Sequence, residues 1–319
     1  MSVTARAPGK LFVTGEWAVL RGAPALVAAV DRHASVTVEP GGEGVVVESV
    51  AEGRSEYPDP VADGPLPRGD AGAVLAALRQ RREPVRGLRV IVDSCAFLVG
   101  ERKLGLGRSA ATLVAAAAAL APDEPPARIL ARALEANGLF QAGQGSGADV
   151  AAAVHGGMVE VRRGADGLAV TSRTLPAGLH LVAGWTGSPA PTTPLLVRFA
   201  TAPTPPALAD LSAAAVAAAD AVARDDAATL LDAVERSAAL LIRLGAELDL
   251  PLVTPALATL VRTANRVGAA AKPSGAGAGD CGIALATSAS QAAAVRAAWQ
   301  DAGILPLPVQ IAERGVTVG

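Results

Sequence analysis

The sequence predicts an α+β protein built from two domains. Its 319 residues, 51% of them hydrophobic, are enough for a large core and favour two domains over one. Short β-like segments alternate along the chain with alanine-rich segments, which are typical of helices because alanine is the best helix former. We place the boundary near residues 156–176, so that residues 1–165 form the first domain and residues 166–319 the second.

Strands dominate the predicted start of the chain. Residues 3–6 and 11–14 are β-like, and they flank a turn that Pro8 and Gly9 favour and that presents Lys10. A hairpin is predicted over residues 17–30. Further on, the pattern predicts strands at 35–38, 44–50 and 88–93, a loop at 52–70, and helices at 71–82, from Ser109 onward, at 127–137 and at 150–154.

Strands and helices alternate in the rest of the chain. Two strands, 158–162 and 168–171, are joined by a predicted turn, and a strand at 179–185 follows. A linker-like loop at 203–206 precedes two alanine-rich helices over 207–242, which a polar break at 224–226 separates. The last predicted elements are a helix at 255–267, a strand at 281–286, a helix at 291–302 and a strand at 308–311.

A phosphate-binding loop is the feature around which the rest is interpreted. Gly105 and Gly107 are followed by Ser109 and a long alanine run, which predicts a tight loop leading into a helix. The N-terminus of a helix exposes unpaired N–H groups and about half a positive charge, and glycine lets the backbone approach a ligand closely. Such a loop favours phosphate. Alone, it is equally compatible with a buried alanine helix after a glycine turn.

Two other phosphate motifs do not fit this loop. The Walker A pattern requires a lysine followed by serine or threonine, and no such pair occurs in the chain. The spacing Gly105-x-Gly107-x-x-Ala110 nominally fits the dinucleotide fingerprint, but that motif directly follows a strand and has an acid at the end of the next one. Here the strand at 88–93 ends well before Gly105, and the next acids lie in a proline-rich turn.

Two more glycine-rich loops carry polar residues. One spans residues 143–149 and places Asp149 in the first turn of a short helix, where the helix dipole stabilises a carboxylate; a simple capping role fits equally well. The other spans residues 271–280. Of the 28 basic residues only three are lysines, and each lies in or beside a glycine-containing segment, which favours a role for this compact charge in a phosphate pocket: Lys10, Lys103 and Lys272.

Composition and charge exclude several classes of function. The net charge of −2 and the 3% of aromatic residues argue against nucleic acid and membrane surfaces as partners. The apolar run after Arg108 is too short to span a bilayer, and no signal peptide is apparent. Two cysteines, Cys95 and Cys281, indicate no disulfide framework and favour a cytoplasmic location. Three scattered histidines offer no metal cluster.

Taken together, these loops resemble the motifs of the GHMP kinase family. The first motif corresponds to Ala7-Pro8-Gly9-Lys10-Leu11 through Gly15-Glu16, the second to Gly105-Leu106-Gly107-Arg108-Ser109-Ala110-Ala111, and the third to Lys272-Pro273-Ser274-Gly275-Ala276-Gly277. The resemblance spans the whole chain in the same order. It implies a fold of two two-layer α/β domains with the active site in the cleft between them.

Within the family, three segments are most similar to kinases that act on mevalonate 5-phosphate: residues 145–151, 184–189 and 272–280. The resemblance therefore implies transfer of the γ-phosphoryl group of ATP to this small molecule, with Mg²⁺ as the expected cofactor. It implies catalytic roles for Lys10 and Asp149 and a metal contact from Ser109. It implies ATP contacts from Lys103, Gly105, Gly107, Arg108, Ser109 and Ala110, and substrate contacts from Lys10, Ser146, Gly147, Ser188, Lys272, Ser274, Gly275, Ala276 and Gly277.

The chemistry of the acceptor sets the expected roles of Lys10 and Asp149. Its phosphate has a second pKa near 6 and is already largely ionised at neutral pH, so a strong base is not required. We expect Lys10 to matter more, because it screens the repulsion between two anions. Asp149 would orient Lys10 or the acceptor.

One position departs from the family pattern, since Arg108 stands where a serine is usual. Its charge either adds to the phosphate site, swings away from it or blocks the nucleotide. The acidic Mg²⁺ ligand of some relatives has only a loose match, at Glu135.

Alternatives to this function stay open at this point. A sister kinase acting on the hydroxyl of mevalonate would turn over that substrate and not its phosphate. A decarboxylase of the same fold would release CO₂, although its segment around the aspartate differs. The protein could also be a non-catalytic binder in which Arg108 prevents catalysis. It would then bind nucleotide without phosphoryl transfer, and replacing Arg108 by serine would restore the transfer. A homodimer is compatible with the sequence, which does not decide the oligomeric state.

Overall fold

The structure, a computed structural model, describes residues 2–59, 64–81, 87–141, 143, 145–164, 167–188, 192–202 and 204–319. Several predictions fall partly outside these residues: the loop at 52–70, the end of the helix at 71–82, Gln144 in the second glycine-rich loop, the turn between residues 164 and 167, Pro189 after the strand at 179–185, and Pro203 in the linker.

The first domain is built on a sheet that is antiparallel except for one pair. Its strands are β1 (Val3–Thr14), β2 (Ala25–Pro40), β3 (Val45–Ser49), β4 (Gly53–Tyr57), β5 (Leu88–Asp93), β8 (Met158–Gly164), β9 (Gly167–Arg173) and β14 (Thr317–Val318). In the described chain, their order is β14-β1-β2-β5-β3-β4, and β8 and then β9 extend the sheet from β2. The parallel pair is β3–β5.

Helices α1 (Gly69–Gln80), α2 (Arg108–Ala119) and α4 (Ala148–His155) pack against this sheet, and α3 (Pro126–Phe140) packs on these three helices. Strand residues Val36 and Val90 are buried with helix residues Leu75, Leu113 and Val114 in one core. Because alanine dominates α2, its backbone can pack closely against both the sheet and α1. A short hairpin of β6 (Leu98–Val99) and β7 (Arg102–Lys103) leads into α2.

The second domain is a four-stranded antiparallel sheet with helices on both faces. Its order is β11 (Ala270–Ser274), β12 (Cys281–Ala286), β10 (His180–Trp185) and β13 (Leu305–Leu307). The helices of this half are α5 (Thr192–Thr201), α6 (Pro206–Ala223), α7 (Ala227–Leu248), α8 (Pro255–Arg266) and α9 (Ala289–Asp301). Side-chain caps start three of them, because Asp226, Thr254 and Ser288 each accept a hydrogen bond from a first-turn N–H group.

The two sheets share a continuous apolar core. Leu11 and Leu26 of the first sheet are buried together with Ile283 and Leu285 of the second. The C-terminal strand returns to the first sheet, where Thr317 pairs with Arg6, and β9 also belongs to that sheet. The core therefore holds the loops of the two domains in a fixed relation to each other.

Helix α6 is long and apolar enough, by length and composition, to cross a membrane. Half of it is nevertheless buried inside the structure, where it packs along α7, as a core helix of a soluble protein would. Composition alone does not distinguish these two cases.

The prediction of a turn at Pro8 and Gly9 is wrong, because β1 runs without interruption from Val3 to Thr14. The irregularity lies in the pairing: Pro8 pairs with His33 and Gly9 with Val30, so the partner strand carries the extra residues. Gly9 is required here for close packing instead. A Cβ atom at this position would lie 2.6 Å from the carbonyl oxygen of Leu106.

Other boundaries also differ from the predictions. The predicted hairpin at 17–30 is a 3-10 turn, Ala18–Arg21, followed by β2, which merges this segment with the strand at 35–38. The predicted loop at 52–70 contains β4, and α5 was not predicted. The last strand is not at 308–311, where only Ile311 forms an isolated bridge with Val30. These segments are short or join strands through local irregularities that hydrophobic periodicity does not reveal. The strand at 88–93 and the two helices over 207–242 are confirmed.

Candidate active site

The phosphate-binding loop at Gly105 and Gly107 forms a cradle of unpaired N–H groups at the start of α2. Gly107 caps the helix with a φ of 82°, in the left-handed region that favours glycine. The first intrahelical hydrogen bond runs from Ala111 N–H to the Gly107 carbonyl, at 3.0 Å, so the N–H groups of residues 108–110 precede it. Ser109 is the second helical residue and is half-buried. This geometry is suited to an anion.

Strand β1 places Lys10 against this cradle. The backbone N–H of Lys10 donates to the Leu106 carbonyl at 2.8 Å, and its Nζ lies 3.4 Å from the Gly105 carbonyl oxygen. A Cβ atom at Gly107 would lie 2.8 Å from Cγ of Lys10. The aliphatic part of the lysine is thus packed against the glycine loop, and only glycine at position 107 leaves room for it.

The third glycine-rich loop closes on the same lysine from the second domain. A Cβ atom at Gly275 would lie 3.5 Å from Nζ of Lys10, and one at Gly105 would lie 2.4 Å from Cβ of Asp280. Asp280 has a φ of 56°, and its N–H donates to the Ser188 carbonyl at 2.6 Å. The loop at Gly105 and Gly107 and the third glycine-rich loop therefore lie together at Lys10.

The other motif lysine has a different environment. Lys272 is fully buried, and its ammonium pairs with Glu16, also buried, and donates to the Pro273 carbonyl at 2.6 Å. Burial lowers the pKa of Lys272, the Glu16 carboxylate opposes this shift, and Lys10 adds to it by repulsion between like charges. Glu16 also accepts a hydrogen bond from Gly275 N–H at 3.3 Å. The Lys272–Glu16 pair thus anchors the third loop on the first motif.

Arg108 points away from the cradle, into the first domain. Its guanidinium donates to Ser94 Oγ at 2.8 Å and to Asp70 Oδ2 at 2.6 Å, and lies 2.8 Å from Glu52 Oε1. The residue is only 8% exposed. Asp70 accepts further hydrogen bonds from hydroxyl groups, including Thr112 Oγ1. Of the outcomes left open by the sequence, the structure has the one in which the arginine side chain swings away; its backbone N–H remains in the cradle.

The second glycine-rich loop and Asp149 lie at the start of α4. Gly147 caps this helix with a φ of 78°, and Ser146 Oγ accepts a hydrogen bond from Ala148 N–H at 3.2 Å. Asp149 is half-buried in the first turn, as predicted, and its Oδ1 accepts from Val150 N–H at 3.0 Å. Among the residues described here, no ion pair within 4.0 Å joins Asp149 to Lys10.

The remaining predicted residues fall around these loops. Lys103 is exposed on β7, and Ser188 is exposed next to Asp280. Ser274 is buried and its hydroxyl donates to the Phe12 carbonyl at 3.0 Å, so that it joins the two domains. Ala276 is half-buried, and a Cβ atom at Gly277 would lie 2.2 Å from the Leu252 carbonyl oxygen. The roles assigned to these residues stay predictions.

Within the described part of the chain, no group of three or more His, Cys, Asp or Glu side chains is arranged to hold a metal ion. Mg²⁺ does not need one, because it usually keeps waters and takes one or two protein oxygens in addition to substrate phosphates. The Ser109 hydroxyl beside the cradle fits that requirement. Glu135 is exposed on α3 and accepts a hydrogen bond from Gln80 at 2.9 Å.

Three residues at the site were not predicted from the sequence. Asp70 compensates Arg108, Glu16 neutralises Lys272, and Asp280 packs against Gly105. Glu16 ends the first motif and Asp280 closely follows the third, so their positions next to the motifs could have identified them as site residues. Nothing in the sequence marks Asp70, which lies 38 residues before its partner.

Comparison with known proteins gives consistent matches. The family model for the GHMP kinases N terminal domain matches residues 71–157, and the model for the GHMP kinases C terminal domain matches residues 218–305. The phosphomevalonate kinase of Streptomyces sp. (strain CL190) is 34% identical over 99% of this chain and 98% of its own length. The mevalonate kinase of Aeropyrum pernix is 36% identical over 50% of each chain.

A solved structure shares the fold over the whole chain. The phosphomevalonate kinase of Streptococcus pneumoniae, in complex with phosphomevalonate and AMPPNP, superimposes with a TM-score of 0.80 at 20% identity, covering 97% of this chain and 99% of its own.

Proposed function

The chain belongs to the GHMP kinase family, and we propose that it transfers the γ-phosphoryl group of ATP to mevalonate 5-phosphate, giving the 5-diphosphate and ADP. The family membership makes the protein a phosphotransferase. The choice of acceptor is supported by the full-length similarity to a phosphomevalonate kinase, whereas the similarity to a mevalonate kinase extends over only half of the chain.

One observation carries the proposal. The ammonium group of Lys10 lies between two glycine loops, 3.4 Å from the Gly105 carbonyl, and among the residues described no carboxylate lies within 4.0 Å of it. Lys272, by contrast, is neutralised by Glu16. A half-buried cation next to the unpaired N–H groups of a helix is arranged for an anion.

Binding of ATP is assigned to the cradle. The N–H groups of residues 108–110 and the loop at Gly105 and Gly107 would hold the phosphates, and Lys103 would reach them from β7. With Mg²⁺ bound, the metal would supply further charge neutralisation, and the Ser109 hydroxyl is the protein group placed to contact it. Phosphoryl transfer depends mainly on positioning and charge neutralisation, which this arrangement supplies.

The acceptor is assigned to the space between Lys10, the loop at 145–149 and the third loop. Its phosphate would lie on Lys10 together with polar groups from Ser146, Ser188 and the backbone of 274–277. Lys272 would act indirectly, since its ammonium is occupied by Glu16 and holds the third loop in place.

No strong base is required for this acceptor, because a phosphate monoester is already largely ionised at neutral pH. Lys10 lowers the repulsion between the attacking oxygen and the γ-phosphate. Asp149 has no direct ion pair with Lys10, so its proposed role is to orient the acceptor from the first turn of α4.

The proposal is tested by a coupled ADP-release assay on the purified chain, run with mevalonate 5-phosphate and, in parallel, with mevalonate. Turnover with the phosphate and little with mevalonate is expected. The reverse result would make the protein a kinase of a hydroxyl group. ATP binding without turnover of either substrate would overturn the proposal and favour a non-catalytic nucleotide binder.

The role of Lys10 is tested by two substitutions that remove charge with little change in volume. Lys10→Met should lower kcat by about 10²–10³-fold, as the loss of one charge-stabilising contact does. Asp149→Asn should lower it by less than the roughly 10²-fold that is the smallest typical contribution of a general base. Melting temperatures of both variants control for folding. The opposite order of effects would mean that proton removal limits the reaction.

A further inference from the structure

A groove on the second domain, remote from the glycine loops, is the feature that the proposed function leaves unexplained. It has a volume of about 540 Å³ and lies between α7 and α8, beside β11 at the edge of the second sheet. That volume is within the range of small-molecule sites.

One wall of the groove is a single stripe of α8. Ala258, Val261, Arg262, Asn265 and Arg266 line it, and their spacing of three and four residues puts them on one face of the helix. The adjacent face of α8 carries the buried residues that pack on the sheet. Within this stripe Arg262, Asn265 and Arg266 are exposed, whereas Ala258 and Val261 are half-buried.

The inner part of the groove is apolar. Ala238 and Ile242 of α7 form the opposite wall, and Val253 and Pro273 complete the lining. Ile242 is 58% exposed, so most of its apolar surface is open to the groove and to solvent. A ligand with a hydrocarbon body would remove this surface from water.

The charge at the groove has one sign. Arg262 and Arg266 lie one helical turn apart on α8, and within the described chain neither has a carboxylate within 4.0 Å; Arg262 donates to Thr259 Oγ1 at 3.0 Å. The sequence from residue 250 to 279 contains no Asp or Glu. Two like charges four residues apart disfavour each other unless an anion lies between them.

We propose that this groove binds a small amphipathic anion, a short hydrocarbon chain that ends in a phosphate group. The chain would lie on the apolar wall of Ile242, Val253 and Val261, and the phosphate would bridge the guanidinium groups of Arg262 and Arg266, which are suited to paired hydrogen bonds with phosphate oxygens.

The position of Pro273 gives such a ligand a route to the active site. Pro273 lies in β11 between Lys272 and Ser274, whose side chains contact Glu16 and the Phe12 carbonyl of the first domain. Successive side chains of a strand point to opposite faces, so a ligand packed on Pro273 contacts the back of the strand that holds the third loop.

The test is calorimetric titration of the full chain with n-hexyl phosphate, and with n-hexanol and inorganic phosphate as the separated parts of the probe. Hexyl phosphate should bind at least tenfold more tightly than either part. The double variant Arg262→Gln/Arg266→Gln should weaken it at least tenfold, and Ala258→Leu, which fills the groove, should do the same. Arg296→Gln, an exposed arginine on α9, is the matched control and should bind as the parent protein does.

Hydrogen exchange locates the ligand. Slower exchange is expected in α8 and β11. Protection confined to the loops around Lys10 would place the probe in the catalytic site and overturn the proposal. Equal binding of inorganic phosphate or of hexanol, or unchanged binding by the double variant, would also overturn it. So would a concentration-dependent dimer that Ile242→Asp dissociates, because the groove would then be an interface between two copies.

Discussion

Replacing Arg108 by serine separates two roles for this residue, a contact with ATP and a contact inside the first domain. In the structure its guanidinium bonds Asp70 at 2.6 Å and Ser94 at 2.8 Å, and it is nearly buried. The substitution restores the residue that the family usually carries. We expect it to destabilise the protein without impairing the nucleotide site.

The magnitude follows from what the arginine leaves behind. The side chain of Asp70 is only 1% exposed, and breaking a buried ion pair costs about 3–5 kcal/mol because a buried charge loses its partner. Asp70 retains hydrogen bonds from the hydroxyls of Ser49, Ser94 and Thr112. We therefore expect about 3 kcal/mol for Arg108→Ser, at the lower end of that range.

A double-mutant cycle isolates the pair. Asp70→Asn removes the opposite charge, and the double variant should lose about 1.5–3 kcal/mol less than the sum of the two single losses. Urea unfolding gives the free energies, and the ADP-release assay gives kcat and the KM for ATP. Arg54→Ser, which breaks an exposed ion pair in the same domain, is the control and should leave the unfolding midpoint unchanged.

Either of two results would refute this reasoning. A tenfold rise in the KM for ATP with unchanged stability would mean that the guanidinium contacts phosphate. Strictly additive free energies in the cycle would mean that Arg108 and Asp70 do not interact. In folded Arg108→Ser protein, kcat should stay within about threefold of the parent value, less than 1 kcal/mol of transition-state energy.

Two further predictions concern the phosphate loop and acid stability. Gly105→Ala should raise the KM for ATP and lower stability, because the new Cβ would lie 2.4 Å from Cβ of Asp280. Gly100→Ala is the control for backbone strain alone, since Gly100 also has a positive φ but its Cβ would meet nothing within 4 Å. Equal losses of stability in the two variants would contradict a role for the contact with Asp280. Burial raises the pKa of Glu160, and hydrogen bonds from two arginines lower it by more, so its pKa lies below 4.5. The stability it contributes is complete above its unfolded-state pKa and is lost progressively as pH falls through the lowered folded-state pKa. Glu160→Gln should therefore unfold more easily than the parent at pH 7, and the difference in melting temperature should narrow as the pH is lowered below 4.5. A difference that stays constant with pH would contradict this prediction.

Much of the architecture follows from local pattern. The strand at 88–93 and the helices over 207–242 are where hydrophobic and alanine patterns place them, because each element is long enough for its periodicity to be recognised. The glycine loops are also evident, since their composition is unsuited to either a helix or a strand interior. The third loop is shorter than predicted, because residues 271–274 belong to strand β11 and pair with β12. Short elements such as β4 and α5 were missed for the converse reason.

The sequence by itself therefore determined the mixed fold, the glycine loops and the small set of lysines beside them. Only the tertiary structure decided what each cation does. Lys10 faces the converging loops, Lys272 is neutralised by a glutamate 256 positions away, and Arg108 turns inward to Asp70. The reason is physical: the effect of a charge depends on its burial and on its partners in space, and long-range partners leave no trace in local sequence pattern.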